Sequence, residues 1–190
     1  MGVIVLAGGK SERMGTDKAL LQLRGQTLLE RTLLALSPLS EEVLVVSERA
    51  DKYPLILGRG VADRFPGAGP LGGIVTGLEI LGEGNHLAVA CDMPSLQLPV
   101  LRYLLSLANA EVDGVVPMIE GRLEPLCAVY RDTALIPLRQ CFEEGERALH
   151  RAVRRQLRLR IVTEAELRTL DPTFTCFHNL NTPQEAENWA

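Results

Sequence analysis

The sequence lacks an excess of positive charge, and it lacks any apolar run of membrane length. The formal net charge is −4, with 20 Lys and Arg residues against 24 Asp and Glu residues. Proteins that bind nucleic acids usually carry a basic excess, so we expect no nucleic-acid partner. A helix that crosses a bilayer needs about 20 apolar residues in succession, and no run in the sequence approaches that length. We therefore expect no membrane partner either.

Cysteines are few and widely spaced. The four are Cys91, Cys127, Cys141 and Cys176. No two are close enough for a Cys-x-x-Cys metal or redox pair, so we expect free thiols that are partly buried.

The N-terminus runs directly into an apolar segment, without a basic leader or a small-residue cleavage site. We expect a protein of the reducing cytoplasm, and a monomer.

Short apolar runs alternate with amphipathic segments along the whole chain. We expect strands at residues 2–6, 42–46, 86–90, 114–117, 126–130 and 157–162, with a further short strand at 55–57. We expect helices at residues 27–36, 70–81, 99–107, 133–142 and 147–156, with a last helix after Thr182. This alternation predicts a three-layer α/β fold in which helices cover both faces of a mostly parallel sheet. One domain, spanning residues 1–190, accounts for the length.

A glycine-rich loop, LAGGKSERMGTDK, occupies residues 6–18 after the first predicted strand. Its glycines and cations are Gly8, Gly9, Gly15, Lys10, Arg13 and Lys18. Glycine lets successive amides face one anion, and cations spread the charge of a breaking phosphoryl bond. The loop therefore predicts a triphosphate site, the alternative being a tight turn with solvated charges. It is not a Walker A loop, because Ile4 stands where that motif needs a glycine.

A second glycine pattern resembles a dinucleotide-binding motif, but its context differs. Gly67, Gly69 and Gly72 spell G-x-G-x-x-G, and Asp92 lies twenty residues beyond Gly72. The preceding VADRFP is not a buried strand, and Asp92 ends a strand of its own, so we reject that interpretation. We expect residues 69–73 to bring the start of a helix close to a nucleotide.

Two carboxylates are candidate ligand residues. Asp92 follows the apolar segment 86–90 and precedes Met93-Pro94, at the carboxyl end of a predicted strand. Mg²⁺ uses one or two protein carboxylates and completes its shell with water and phosphate oxygens, so we predict that Asp92 binds magnesium. A helix-capping role is the alternative. Asp63 is a weaker candidate, which either accepts a hydrogen bond from a base or ribose or starts a turn.

The C-terminal third contains an amide-rich segment and an arginine-rich stretch. Asn181 or Thr182 suits the N-cap of the last helix, which leaves Asn179 to face a ligand. The arginine-rich stretch, residues 147–160, is typical of a solvated helix face followed by an edge strand. An acidic cofactor substrate could also contact this stretch.

Together these segments resemble the molybdenum cofactor guanylyltransferases. The matching segments are LAGGKSERMGTDK, GPLGGI at 69–74, CDMP at 91–94, EPLCAVY at 124–130 and NLNTP at 179–183. The first loop alone indicates only the nucleotidyltransferase superfamily, and NLNTP points to the molybdenum cofactor branch. The resemblance implies a Rossmann-like nucleotide-diphospho-sugar transferase fold with one antiparallel strand. It also implies GMP transfer from GTP to molybdenum-bound molybdopterin, with diphosphate released.

The same resemblance implies roles for individual residues. It gives nucleotide-binding roles to Leu6, Ala7, Gly8, Lys18, Asp63 and Asp92, of which Asp92 would also bind Mg²⁺. The residues themselves add Gly9, in the first loop, and Gly69, before the helix, as nucleotide-binding candidates. We expect catalytic roles for Arg13, Lys18 and Asp92, because their charges would act on the phosphates. Asn179 and Asn181 would lie near the pterin, with EPLCAVY as part of that wall. The family often has an amide-bearing residue after the second strand; Ser47 is the nearest position here, which leaves its contact with the base open.

Three alternatives remain at this stage. They are a cytidylyltransferase acting on the same pterin, a nucleotidyltransferase for sugar or alditol phosphates, and a nucleotide-binding regulatory domain without transfer activity. The preference for guanine rests on the resemblance alone. The implied partners are GTP and molybdenum-bound molybdopterin, with transient contacts to proteins that deliver molybdopterin or mature molybdoenzymes.

Overall fold

The computed structural model describes residues 1–8, 17–54, 57–180, 185 and 189. Its strands are β1 (Val3–Leu6), β2 (Gln22–Leu23), β3 (Gln26–Thr27), β4 (Val43–Ser47), β5 (Arg59–Ala62), β6 (Asn85–Ala90), β7 (Gly114–Ile119), β8 (Arg122–Leu123), β9 (Cys127–Arg131) and β10 (Leu159–Thr163). Its α-helices are α1 (Leu28–Leu36), α2 (Pro70–Leu81), α3 (Leu98–Ser106), α4 (Leu135–Glu143), α5 (Leu149–Gln156) and α6 (Glu164–Leu167). The five helices predicted before residue 157 are confirmed. The helix expected after Thr182 lies outside the described residues.

Within the described residues, eight strands form one sheet in the order β10-β7-β9-β6-β1-β4-β5, with β8 beside β7. β1 pairs in parallel with β4 and β6, and β4 pairs in parallel with β5. β9 runs antiparallel to both of its neighbours, β6 and β7, and the short β8 also runs antiparallel to β7. The prediction of a mostly parallel sheet with an antiparallel strand is confirmed.

One edge strand, β5, was not predicted. It is partly exposed and has no apolar run to mark it. Of the short strand expected at 55–57, residues 55–56 lie outside the described residues, and residue 57 belongs to no strand. Gly60 lets β5 approach the preceding loop, because a Cβ there would lie 1.9 Å from the Ala50 carbonyl oxygen. The predicted edge strand at the other side is confirmed as β10, which pairs with β7.

Both faces of the sheet are covered, because side chains alternate along the strands. Val3 and Val5 belong to one buried cluster, with residues of α1 and α3. Ile4 and Leu6 belong to the other, with residues of α2, α4 and α5. This period of two produces the three layers. Helix α2 lies especially close to β1, because a Cβ on Gly77 would meet Ile4 at 2.5 Å.

Two expectations about the chain as a whole can be compared with the fold. All four cysteines are free and buried, as predicted. In the described part of the chain, no helix is both long enough and apolar enough to cross a bilayer.

His86 is a buried polar residue at the start of β6, with 2% of its surface exposed. Its Nδ1 accepts a hydrogen bond from the Gly2 amide at 3.1 Å, so the neutral ring carries its proton on Nε2. That nitrogen lies 3.0 Å from the Gly82 carbonyl oxygen, to which it donates. Burial lowers the pKa of His86, and the folded protein therefore holds a neutral ring.

The free energy of unfolding should fall as the pH is lowered from about 8 to about 5.5, because an unfolded histidine, with a pKa of about 6.5, binds a proton that the folded His86 does not. This contribution is present above that pKa and is lost below it. His86→Gln should reduce this pH dependence, measured by urea unfolding across the pH range. An unaltered pH dependence in His86→Gln would contradict this account.

Candidate active site

A cavity of about 600 Å³ lies at the carboxyl edge of the parallel strands. Its walls come from three strand ends and the start of α2: Leu6, Gly8, Val46, Ser47, Glu48, Asp63, Pro66, Gly67, Gly69, Pro70 and Gly73. Four of the residues predicted to bind a nucleotide, Leu6, Gly8, Asp63 and Gly69, therefore surround one space. Pockets at this edge are where ligands bind in open α/β sheets.

Ala7 lies behind this wall rather than on it. It is 1% exposed, and its amide donates to the Val46 carbonyl oxygen at 3.0 Å. Its own carbonyl oxygen accepts a hydrogen bond from the Tyr53 hydroxyl at 2.6 Å. Both main-chain groups of Ala7 thus already bond to the protein, which leaves Gly8 as the residue of this segment that faces the cavity beside Leu6.

Lys18 and Asp92 form an ion pair at the same edge, with 3.1 Å between Nζ and Oδ2. Both side chains are mostly buried, 24% and 19% exposed respectively. Asp92 is held there because the Cys91 amide donates to the Leu6 carbonyl oxygen at 3.1 Å, next to the end of β1. Neither side chain lines the 600 Å³ cavity itself. Two of the three residues with predicted catalytic roles are nevertheless in direct contact.

Asp92 suits a magnesium ion that arrives with its nucleotide. Among the described residues, no three His, Cys, Asp or Glu side chains cluster as a metal site. A single carboxylate is enough for Mg²⁺, because water and substrate phosphates can fill the remaining positions. The donor set therefore fits a shared ion better than one held by the protein alone.

Asp63 fixes a turn and also lines the cavity. Its Oδ1 accepts hydrogen bonds from the Phe65 amide at 2.9 Å and the Thr76 hydroxyl at 3.1 Å, which fixes the turn. The same side chain lines the cavity. Because both bonds go to Oδ1, the other carboxylate oxygen can accept from a ligand.

Gly69 turns the chain into α2 with a backbone conformation that only glycine adopts readily. It is the N-cap, with φ 61° and ψ −150°, and Pro70 is the first helical residue, as predicted. The first turn of α2 faces the cavity through Gly69, Pro70 and Gly73. The N-terminus of a helix attracts anions, so this geometry favours a phosphate-bearing ligand.

The C-terminal segment returns to the same edge. The Leu180 amide donates to the Asp92 carbonyl oxygen at 2.9 Å, which places the exposed Asn179 next to Asp92. The structure thus brings one of the two predicted pterin residues to the active-site edge. The predictions for Gly9, Arg13 and Asn181 fall outside the described residues.

A second cavity, of about 670 Å³, adjoins the first, since Pro70 lines both. Its other walls are Gly121, Arg122, Leu123, Glu124, Pro125, Leu126, Arg147, Ala148, Leu149, His150 and Arg154. This lining includes the start of EPLCAVY and part of the arginine-rich stretch.

Most arginines of the arginine-rich stretch have structural partners. Arg147 stacks on Phe142 and donates to its carbonyl oxygen, and Arg151 and Arg158 pair with acidic residues. Arg154 lines the second cavity, as Arg147 does, but in the described part of the chain it has neither a hydrogen-bond nor an ion-pair partner. We did not predict this role, although His150 and Arg154 are four residues apart and so share one face of α5.

Ser47 and Glu48 also line the first cavity. The Ser47 hydroxyl donates to the Arg49 carbonyl oxygen at 2.7 Å, so it already has an internal acceptor. Glu48 was not among the predicted residues, because it lies in a loop without helical or strand periodicity.

Comparison with known proteins relates the chain to nucleotidyltransferases. The family model for the MobA-like NTP transferase domain matches residues 3–161. A probable molybdenum cofactor guanylyltransferase of Chloroflexus aggregans is 42% identical over 193 residues, covering 97% of this chain and 91% of that protein. The molybdenum cofactor guanylyltransferase of Desulfosudis oleivorans is 34% identical, with 97% and 91% covered. The crystal structure of molybdopterin-guanine dinucleotide biosynthesis protein A from Archaeoglobus fulgidus has a TM-score of 0.85 at 28% identity, with 99% and 96% covered.

Gly69→Ala should lower the free energy of unfolding by about 1–3 kcal/mol, because an alanine is strained in that conformation. It should also weaken the binding of a nucleoside triphosphate, since relief of the strain moves the cavity wall. Gly82→Ala is the matched control: Gly82, at the other end of α2, has φ 72° and ψ −136°. Urea unfolding should show a similar loss of unfolding free energy for both variants. Titration with a nucleoside triphosphate should show a loss of affinity for Gly69→Ala alone. Equal nucleotide affinities would contradict the assignment of Gly69 to the cavity wall.

Proposed function

Because this chain belongs to the MobA-like NTP transferase family, we propose that it transfers GMP from GTP to molybdenum-bound molybdopterin, with release of diphosphate. It is a nucleotidyltransferase. The observation that carries the proposal is the convergence of Leu6, Gly8, Asp63 and Gly69 on one cavity beside the Lys18–Asp92 pair. A triphosphate site needs accessible backbone, the N-terminus of a helix and paired charged side chains close together.

We assign the base and ribose to the part of the cavity near Asp63, whose carboxylate accepts from their donor groups. The phosphates extend past Gly8 and the first turn of α2 toward Lys18. Gly9 and Arg13 complete the phosphate contacts in this proposal. These assignments follow the chemistry of the lining, since carboxylates accept from hydroxyl and amino groups and cations pair with phosphates.

In the proposed reaction, the terminal phosphate of molybdopterin attacks the α-phosphorus of GTP in line. The new P–O bond forms as the bond to the β-phosphate breaks, and diphosphate leaves with the bonding electrons. A phosphate nucleophile is ionised at neutral pH, because its second pKa is about 6, so no protein base is needed. Lys18 stabilises the charge on the transferring phosphate. Mg²⁺, held by Asp92, would reduce the repulsion between the two anionic substrates.

We place the acceptor in the second cavity, because it adjoins the first and has cationic walls. The Leu126 carbonyl oxygen accepts from the Ala90 amide at 3.0 Å, so one wall of this cavity lies beside β6, the strand that leads to Asp92. Arg154 offers a cation to an acidic acceptor. Asn179, next to Asp92, and Asn181 contact the pterin in this proposal.

The proposal includes the cellular setting. It places a monomer in the cytoplasm, with transient contacts to proteins that deliver molybdopterin or mature molybdoenzymes. Four buried thiols without a disulfide support a reducing compartment.

Mass spectrometry of the product tests the reaction. Incubation with GTP, Mg²⁺ and molybdenum-loaded molybdopterin should give the guanine dinucleotide, and excess CTP or ATP should not suppress it.

Asp92→Asn should lower turnover by about 10²–10³-fold, because it removes a charge from the phosphate site. Asp132→Asn, after the far end of β9, should retain turnover close to wild type. Near-normal turnover of Asp92→Asn at saturating magnesium would remove Asp92 from its proposed role, and a cytosine dinucleotide would favour the cytidylyltransferase alternative.

Arg154→Ala should raise the KM for molybdopterin by about 10-fold, since a charge-assisted hydrogen bond to an anion is lost. The affinity for GTP should not change, because Arg154 lies in the second cavity. Arg155→Ala is the control, as it removes the neighbouring charge on α5 from a position outside that lining. Steady-state kinetics with each substrate varied would show this, and equal effects of both substitutions would indicate general electrostatics instead of a specific contact.

A further inference from the structure

Tyr53, in the loop between β4 and β5, bridges two segments that flank the active site. It is 7% exposed, and its hydroxyl oxygen lies 2.6 Å from the Ala7 carbonyl oxygen. The same oxygen lies 2.9 Å from Oδ2 of Asp17. One hydroxyl therefore joins the end of β1 to the start of the short 3-10 helix Lys18–Leu20.

The Tyr53 hydroxyl is a protonated phenol that lies between two hydrogen-bond acceptors. Burial and the neighbouring Asp17 raise the pKa of Tyr53 above its ordinary value, so the hydroxyl keeps its proton. A hydroxyl has a single proton, which the two acceptors must share. The Lys52 ammonium lies 3.1 Å from Oδ2 of Asp17 and balances the carboxylate charge.

Asp17 also fixes the start of the short helix that contains Lys18. Its other oxygen, Oδ1, accepts a hydrogen bond from the Ala19 amide at 3.1 Å, which caps the short helix. Lys18 is the first residue of that helix, and its Nζ lies 3.1 Å from Oδ2 of Asp92. The contacts form a continuous series from the end of β1, through Tyr53 and Asp17, to the ammonium of Lys18.

We propose that Tyr53 and Asp17 are positioning residues, which hold the ammonium of Lys18 in register with the phosphate that is transferred. Neither residue touches the reacting atoms. The inference rests on the proposed function, since it concerns the rate of nucleotidyl transfer. Small displacements of a group that stabilises a transition state have large effects on rate, which makes a buried support of this kind consequential.

Tyr53→Phe removes only the hydroxyl and should lower kcat by about 10-fold, with little change in the KM for molybdopterin. The matched control is Tyr103→Phe. The Tyr103 hydroxyl donates to Oε1 of Glu166 at 3.2 Å, between α3 and α6, and its removal should leave kcat close to wild type. Circular dichroism and thermal unfolding check that both variants fold.

The decisive comparison repeats Tyr53→Phe in a Lys18→Ala background. If Tyr53 acts through Lys18, the second substitution should cost little once the ammonium is gone, because residues of one unit are not additive. A purely structural role of Tyr53 would instead lower kcat by the same factor in both backgrounds, which would overturn the inference. An unchanged kcat in Tyr53→Phe alone would also overturn it.

Asp17→Asn provides a second route if Tyr53→Phe does not fold. It keeps Oδ1 as an acceptor for the Ala19 amide but removes the charge that Tyr53 and Lys52 share. The same loss of kcat, absent in the Lys18→Ala background, supports the inference, and a normal kcat overturns it. Wild-type protein that forms no guanine dinucleotide would refute the proposed function and this inference together, whereas wild-type turnover with unaffected variants would refute the inference alone.

Discussion

The parallel pairing of β1 with β4 on one side and β6 on the other is the constraint on which the active site depends. Leu6 lies opposite both Val46 and Ala90, so the chain leaves three strands at the same level. Gly8 and Asp92 follow two of these ends. A shift of register by one residue would exchange the two faces of a strand and separate these groups. Backbone hydrogen bonds deep in the core therefore determine where the phosphate-binding groups meet.

Close packing between β1 and α2 determines how near the helix lies to the sheet at the site. A Cβ on Gly73 would meet Leu6 at 2.6 Å, and one on Gly77 would meet Ile4 at 2.5 Å. The absence of side chains at these positions lets the helix approach the sheet, with its N-terminus at the first cavity. Gly73 thus serves both packing and the cavity wall, although neither it nor Gly77 belongs to the G-x-G-x-x-G pattern in the sequence.

Sequence patterns predicted the elements that are determined by residues close together in the sequence. Pro70 and the apolar residues after it defined α2, and the carboxyl ends of parallel strands brought Asp92 close to the first loop. β5 escaped prediction because an exposed edge strand needs no apolar run. Tyr53 and Asp17 are 36 residues apart, and only tertiary folding brings them together. The lining role of Arg154 escaped prediction for the same reason.

The bond from Leu180 to the Asp92 carbonyl oxygen ties a late segment of the chain to the end of a central strand, β6. Leu180 anchors this segment by packing with Leu23 and Leu28, while its neighbour Asn179 is exposed. Under the proposed function, the acceptor side of the site therefore depends partly on a segment that follows β10 in the sequence. Substitutions in that segment could change acceptor preference without altering the strand register on which the nucleotide side depends.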